Sequence, residues 1–124
     1  MTKLANTLYA SELQRRLTAI GSRIIVISLH PGGVYTYFNR PSIPYYHFIF
    51  KPIIFLLFSH PDKGAYNSVF AAASEDVIKE REKYRGAYLT PVGRVSKPTK
   101  MARDDELAKE LMNSVDAFLQ EKGI

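Results

Sequence analysis

The residues most informative about the fold are Arg23–Leu29 (RIIVISL) and the turn His30-Pro31-Gly32-Gly33 that follows them. A short and nearly continuous run of β-branched residues predicts a strand covered on both faces, as in a parallel sheet. In the turn, proline fixes its φ angle and lacks an N–H, and the two glycines permit close approach to the backbone. Ligands sit at such strand ends in open α/β sheets. A plain loop is the competing interpretation of the same residues.

A helix is predicted before this strand, over Lys3–Ile20. Leucine or isoleucine recurs there every three to five residues, and Gly21 suits the end of the helix. The polar residues of this segment are expected on its solvent side: Glu12, Gln14, Arg15 and Arg16.

Another helix is predicted in the middle of the chain. It begins at Pro61 and runs to about Ser74, with an apolar side made of Ala65, Val69, Phe70 and Ala73. Residues 75–85 are charged and predict a solvated end.

The last third of the chain predicts a strand and a helix. Gly86–Val92 (GAYLTPV) is a strand candidate shortened by Pro91, and 94–103 is a polar connection. Asp104–Gln120 is the clearest helix, with an apolar residue every four positions, acidic residues at its start and Gly123 after its end.

The order of these elements predicts an α/β fold with a parallel sheet. Two parallel strands alone would leave both edges of the sheet exposed. The pattern therefore resembles the second half of a larger doubly wound domain. The 124 residues are expected to form a single partial domain, since 46% are apolar and 23% charged, values typical of a globular chain.

Charge and hydropathy narrow the classes of function. The net charge is +5, and residues 1–60 hold six basic residues against one acidic residue, which suits an anionic ligand or surface as well as an ordinary basic exterior. The absence of cysteine excludes disulfides and thiolate sites. The most apolar window, Ile43–Phe58, has 16 residues with two prolines, short of the ~20 that a membrane-spanning helix needs. Residues 11–16 interrupt any signal-peptide core, so neither a signal peptide nor a spanning helix is expected.

The chain opens with Thr2-Lys3-Leu4-Ala5-Asn6, and residues 29–36 read Leu-His-Pro-Gly-Gly-Val-Tyr-Thr. Together with Gly64-Ala65 and Gly86-Ala87-Tyr88, in this order and spacing, these segments resemble the C-terminal half of short-chain dehydrogenases/reductases of the retinol-dehydrogenase-like branch. The resemblance covers nearly the whole chain. It implies a Rossmann-like domain and an oxidoreductase that uses NAD or NADP, without distinguishing the two cofactors.

The resemblance also implies roles for single residues. Lys3 would be the lysine of the family's Tyr-x-x-x-Lys motif, which lowers the pKa of the catalytic tyrosine and binds the nicotinamide ribose hydroxyls. Pro31 and Gly32 would form the turn against the nicotinamide, with the Val34 backbone on the carboxamide and the Thr36 hydroxyl on phosphate. From the residues alone, a solvated lysine near a helix start is the favoured interpretation of Lys3.

The segment 37–60 would be the substrate lid of such an enzyme. Its aromatic residues would line a pocket for an apolar alcohol or carbonyl compound: Tyr45, Tyr46, Phe48, Phe50, Phe55 and Phe58. A packed core helix and contact with a membrane surface are alternative interpretations of this segment.

Departures from the family pattern lead to an expectation about activity. The motif tyrosine would lie four residues before Lys3, and the 124 residues contain neither it nor the Gly-rich phosphate-binding turn nor the family's active-site serine. We therefore expect a truncated chain that lacks the N-terminal dinucleotide-binding half and does not turn over substrate alone. A mis-assigned gene start, a natural short product and an excised fragment are all compatible with this expectation.

The remaining expectations concern partners and location. The three histidines have no metal-ligand spacing, so no metal site is expected, and basic residues are not interleaved with aromatic ones as nucleic-acid binding requires. By resemblance, the helix Lys3–Ile20 would serve as a homodimer interface. A cytoplasmic location with peripheral membrane contact is expected. The alternative function is a non-enzymatic basic α/β fragment that acts by protein pairing or membrane-surface contact.

Overall fold

The computed structural model describes residues 2–32 and 61–123, with the side chains of the second range from Gly64 onward. The helices in chain order are α1 (Thr2–Ala19), α2 (Pro61–Ala73), α3 (Glu75–Lys79), α4 (Arg81–Tyr84), a single 3-10 turn (Met101–Arg103) and α5 (Asp105–Lys122). The strands are β1 (Ser28–Leu29), β2 (Tyr88–Thr90) and β3 (Arg94–Ser96).

The strands form one small sheet in the order β1-β2-β3. β1 and β2 are parallel, with Ser28 opposite Tyr88 and Leu29 opposite Leu89. β3 is antiparallel to β2 and places Val95 opposite Leu89. The predicted α/β class and the parallel pairing of the first two strands are confirmed.

One face of the sheet carries the apolar core. Leu89 is fully buried, and side chains alternate along a strand, so Leu29 and Ala87 share this face with it. Helices α2, α3 and α4 cover this face, because each contributes side chains to the core. The core consists of Val77, Tyr84, Ala87 and Leu89, with Ile25, Ile27, Leu29, Phe70 and Ala71 packed around it.

The opposite face of the sheet is turned toward α1, and α5 packs along α1. Gln14 of α1 is only 5% exposed, although it was predicted on the solvent side of the helix. Its Oε1 accepts from the Val26 N–H at 2.7 Å, in the segment before β1. Its Nε2 donates to the Thr18 hydroxyl at 3.1 Å and to the Ile24 carbonyl at 3.4 Å. Gln14 is therefore buried because it fixes α1 to the segment that leads into β1.

The structure also corrects the predicted solvent side of α1 at Glu12, which is 5% exposed. Glu12 lies where α1 meets α5, between Arg15 at 2.6 Å and Arg16 at 3.2 Å. The two arginines are half-exposed and continue to α5, where Arg15 pairs with Asp105 at 2.7 Å and Arg16 with Asp116 at 2.6 Å. Burial of the carboxylate is tolerated because it is paired on both sides.

The charged segment 75–85 differs from its prediction. It forms the two short helices α3 and α4, which bury Val77 and Tyr84 in the core. The Ser74 hydroxyl caps α3 by accepting from the Asp76 N–H at 3.2 Å. The segment is therefore part of the core layer and not simply a solvated end.

The predicted apolar side of α2 is only partly right. The face of α2 that meets the sheet carries Gly64 and Asn67, and Phe70 packs on the core beside them. The prediction is wrong at the other three positions, which are exposed: Ala65, Val69 and Ala73. The spacing of apolar residues predicted the wrong buried face for α2, because that face includes a glycine and an amide, which an apolar pattern does not mark.

The segment after the second strand is structured as well. Residues 94–96 pair with β2 as β3, although 94–103 was predicted as a polar connection. The strand predicted over 86–92 is shorter, Tyr88–Thr90, and only the last two residues of the first predicted strand pair as a ladder.

The last helix agrees closely with its prediction. The Asp104 carboxylate accepts from the N–H groups of Glu106 and Leu107, both at 3.1 Å, and so caps the start of α5. Gly123 adopts a left-handed conformation and ends the helix.

Candidate functional site

The turn after β1 lies at the carboxyl end of the two parallel strands. The His30 N–H donates to the Leu89 carbonyl at 2.8 Å, so hydrogen bonding to β2 extends one residue past Leu29 into the turn. The turn then continues through Pro31, which is exposed, and Gly32. The predicted turn is therefore at the sheet edge where ligands bind in open α/β folds.

Gly32 has a backbone conformation and a contact that exclude a side chain. Its φ angle is +85°, in the region that residues with a Cβ rarely adopt. A Cβ on Gly32 would lie 2.9 Å from the Pro91 Cγ. The Gly32 N–H donates to the His30 Nδ1 at 2.9 Å, which closes the turn on its own histidine. The backbone of the turn thus rests on Pro91, directly after β2.

Asn67 of α2 holds the same edge from within the protein. Its side chain is fully buried, and its Nδ2 donates to the His30 carbonyl at 3.0 Å and to the Leu89 carbonyl at 3.3 Å. Its Oδ1 accepts from the Gly93 N–H at 2.9 Å, in the turn that joins β2 to β3. One amide therefore connects the ends of both parallel strands with the turn beyond the second.

Gly93 is held by packing in addition to that hydrogen bond. A Cβ at Gly93 would lie 2.7 Å from the Phe70 ring, so a larger residue would push this ring of α2 aside.

Asn67, Pro91 and Gly93 were not identified as site residues from the sequence. The available signals were an amide three positions after Gly64 in a helix that packs on a sheet, and a Pro-x-Gly turn after a strand.

Lys3 lies in the first turn of α1, and its side chain is exposed. It makes no ion pair or side-chain hydrogen bond with the residues whose side chains the structure describes. The described contacts do not join it to the Pro31–Gly32 turn. The other predicted site residues, Val34, Thr36 and the lid segment 37–60, lie outside the described residues.

A polar cavity of about 270 Å³ lies between α1 and the sheet. Its lining includes Thr7, Ser11, Ser28, Tyr88, Arg103 and Asp105. Thr7 is one helical turn beyond Lys3, and its hydroxyl donates to the Lys3 carbonyl at 3.3 Å. This cavity was not predicted, because only the packing of α1 on the sheet brings these hydroxyl groups together.

The described residues also bear on cofactors and membranes. Across residues 2–32 and 61–123, no three His, Cys, Asp or Glu residues group as metal ligands. None of the helices in these two ranges is long and apolar enough to cross a bilayer. The site is compatible with a nicotinamide cofactor in two respects: Gly32 offers backbone without a side chain at the sheet edge, and Lys3 presents an exposed cation on α1.

Comparison with known proteins shows which class of proteins the chain is similar to. The chain is 37% identical over 123 residues to the short chain dehydrogenase/reductase dpmpH of Macrophomina phaseolina, a match that covers 99% of this chain and 59% of that protein. It is 39% identical over 122 residues to the short chain dehydrogenase/reductase dpfgH of Gibberella zeae, covering 98% of this chain and 34% of that protein. Retinol dehydrogenase 13 of Mus musculus is 32% identical over 114 residues, 89% of this chain and 31% of that protein.

These similarities confirm the resemblance: the chain is a relative of short-chain dehydrogenases/reductases, and it matches the C-terminal part of these proteins. It spans about three fifths of the Macrophomina protein and about a third of the other two. No protein-family profile matches the sequence, and no solved structure matches it.

Proposed function

We propose that this chain is the part of an NAD(P)-dependent oxidoreductase of the short-chain dehydrogenase/reductase type that carries the motif lysine and the turn facing the nicotinamide. The observation that carries the proposal is the Pro31–Gly32 turn, which follows β1 in a chain related along 99% of its length to such a protein. The cofactor is NAD or NADP. The chemistry that such a cofactor would supply when bound is hydride transfer to or from the substrate carbon.

The chain's own residues would bind and orient that cofactor. The Lys3 ammonium would contact the ribose hydroxyls and, through its positive charge, lower the pKa of the tyrosine that the family motif has four residues before it. The turn would present the backbone of Gly32 and Val34 to the nicotinamide, and the Thr36 hydroxyl would bind phosphate. A cation beside a phenol matters because an unperturbed phenol, with a pKa of about 10, is a poor base at neutral pH.

An apolar alcohol or carbonyl compound is the substrate class that we propose. The names of two relatives in Mus musculus, retinol dehydrogenases 13 and 14, are consistent with it. The aromatic composition of the proposed lid over 37–60 supports the same class, because aromatic side chains line sites for bulky apolar ligands. A cytoplasmic location with contact between Ile43–Phe58 and a membrane surface belongs to this proposal.

The proposal is tested by binding, because binding reports directly on the Pro31–Gly32 turn and on Lys3. Reduced nicotinamide mononucleotide is titrated into the isotope-labelled chain, with AMP, the other half of the dinucleotide, as the comparison ligand. We expect the mononucleotide to shift the amide resonance of Gly32 and AMP to leave it in place. Lys3→Ala should weaken the binding about tenfold, because a charge-assisted contact is lost.

Lys79→Ala is the matched control, since Lys79 is an exposed helical lysine paired with Glu75, far along the chain from the proposed site. Its affinity for the mononucleotide should equal that of the unmodified chain. An unchanged affinity in Lys3→Ala, or equal effects of both variants, would contradict the role of Lys3.

The alternative function is a non-enzymatic basic fragment that pairs with proteins or lies on membranes. Its support is the +5 net charge and the position of β1 at one edge of the sheet within the described residues. If the chain does not bind the mononucleotide but cosediments with anionic phospholipid vesicles, the result favours this alternative over the oxidoreductase.

A further inference from the structure

Asn67 lies where three backbone segments meet. Its amide donates to the carbonyls of His30 and Leu89 and accepts from the N–H of Gly93, so both ends of the amide are bonded. The side chain has no exposed surface. The Leu89 carbonyl also accepts from the His30 N–H, which ties the same strand ends a second time.

An amide is a costly choice for a helix face that packs on a sheet. Burying a polar group is unfavourable unless it is hydrogen-bonded, and an apolar residue would avoid that cost. Asn67 does what an apolar residue cannot, because its donor and its acceptor bind different segments. The relative position of the β1 end, the β2 end and the β2–β3 turn is thereby set by one rigid planar group.

The segments that Asn67 holds are those around the turn after β1. The His30 carbonyl, bonded to Asn67, belongs to the peptide group that leads into Pro31. Gly32 rests on Pro91, which lies two residues before Gly93. Asn67 therefore restrains the turn twice, directly through His30 and indirectly through the loop that supports Gly32.

We propose that Asn67 is the positioning residue of the nicotinamide-facing turn: its buried amide fixes the orientation of His30–Gly32 at the strand ends without touching the cofactor. This inference rests on the proposed function of the turn. It gives α2 a part in cofactor binding, although the family resemblance assigned no such role to a residue of that helix.

The test separates positioning from general stability by comparing two ligands. Reduced nicotinamide mononucleotide engages the turn through its ring, whereas ribose 5-phosphate lacks the ring. We expect Asn67→Ala to weaken binding of the mononucleotide about tenfold and to change binding of ribose 5-phosphate less than about twofold. Both affinities are measured by amide chemical-shift titration, well below the unfolding temperature of each variant.

Val77→Ala is the matched control for the loss of buried contacts. Val77 is 6% exposed and belongs to the core on one face of the sheet, and its side chain has no polar group to hold the turn. This variant should lower the melting temperature without changing the ratio of the two affinities.

Asn67→Asp serves if the alanine variant does not fold. It retains the shape of the side chain and the acceptor for the Gly93 N–H. A carboxyl group has at most one O–H, and none when ionised, so it cannot donate to both the His30 and the Leu89 carbonyl as the amide does. We expect it to lose mononucleotide affinity selectively, as Asn67→Ala does.

The results distinguish a positioning role of Asn67 from a purely structural one. A selective loss of mononucleotide affinity in the Asn67 variants, absent in Val77→Ala, supports positioning. Equal losses for both ligands, or the same selective loss in Val77→Ala, reduce Asn67 to a structural residue and overturn the inference while the proposed function survives. If the unmodified chain binds both ligands equally, or binds neither, the turn does not face a nicotinamide, and both proposals fall.

Discussion

At the scale of single residues, Gly32 is the position in the turn where both the backbone conformation and the packing disfavour a side chain. Its positive φ angle and the 2.9 Å that would separate its Cβ from the Pro91 Cγ are separate obstacles to substitution. Gly21 meets only the first obstacle, because its φ is +68° and nothing lies within 4 Å of its Cβ position. The two glycines thus distinguish backbone strain from steric contact.

We predict that Gly32→Ala destabilises the chain by more than Gly21→Ala. Gly21→Ala should cost about 1 to 2 kcal/mol, the usual penalty of a left-handed conformation for a residue with a Cβ. Gly32→Ala should add about 1 kcal/mol or more, as overpacking does. Urea unfolding of both variants measures the difference. In a Pro91→Ala background the difference should vanish, and its persistence there would mean that the proline contact is not its cause.

At the scale of elements, the contact between α1 and α5 depends on a buried carboxylate. The Glu12 side chain is 7% exposed and lies against Arg15 and Arg16. Arg16 also reaches Asp116 and, at 3.1 Å, the Asn113 Oδ1 on α5. The hydrogen bond to Asp116 is the main cause that raises the pKa of Arg16, and the hydrogen bond to Glu12 adds to it.

We predict that Arg16→Met lowers the melting temperature of the chain by more than Lys79→Met does. The first variant leaves the buried Glu12 carboxylate with one cation fewer, whereas the pair between Lys79 and Glu75 is exposed on both sides. Glu12→Gln should recover part of the loss in the double variant, since a neutral amide tolerates burial better than an incompletely paired charge. Additive effects of Arg16→Met and Glu12→Gln in thermal unfolding would refute the coupling.

Helices were more predictable than strands in this chain, for a physical reason. α5 carries a regular four-residue apolar spacing, an aspartate cap and a closing glycine, all of which are local signals. The burial of Glu12 and Gln14 depends instead on which element packs opposite each side chain, and a single segment does not encode that. β3 escaped prediction because Arg94 and Val95 are exposed and leave no apolar pattern.

The candidate site likewise contains residues that local sequence signals predicted and residues that they did not. The Pro31–Gly32 turn was predictable because the strand before it and its glycines form a local signal, and the structure has it at the carboxyl end of β1. Its supports, Asn67 and Pro91, come from α2 and from the turn after β2, and only the folded chain brings them to the same edge. Local patterns therefore identified the turn and missed the residues that hold it in place.

At the scale of the whole molecule, α1 has one side that no described element covers. α5 packs on the side that carries Glu12, and the sheet lies opposite Gln14. The remaining side carries apolar residues that are partly or largely exposed, with Tyr9 at 38% and Ile20 at 78%. Following the resemblance, we propose that a second copy of this chain packs on this side of α1, because an apolar helix face in water favours a partner.

We predict that the chain forms a dimer whose population rises with concentration, measured by light scattering after size exclusion. Leu17→Glu should shift it to a monomer, because Leu17 is half-buried on the same side of α1 and a carboxylate there would be desolvated in the interface. Val69→Glu is the matched control, since Val69 is 60% exposed on α2, a different helix. If the chain is a monomer at every concentration, or if both variants dissociate the dimer, α1 is not the interface. If Leu17→Glu dissociates the dimer and Val69→Glu does not, the contact is assigned to α1, the helix that carries Lys3.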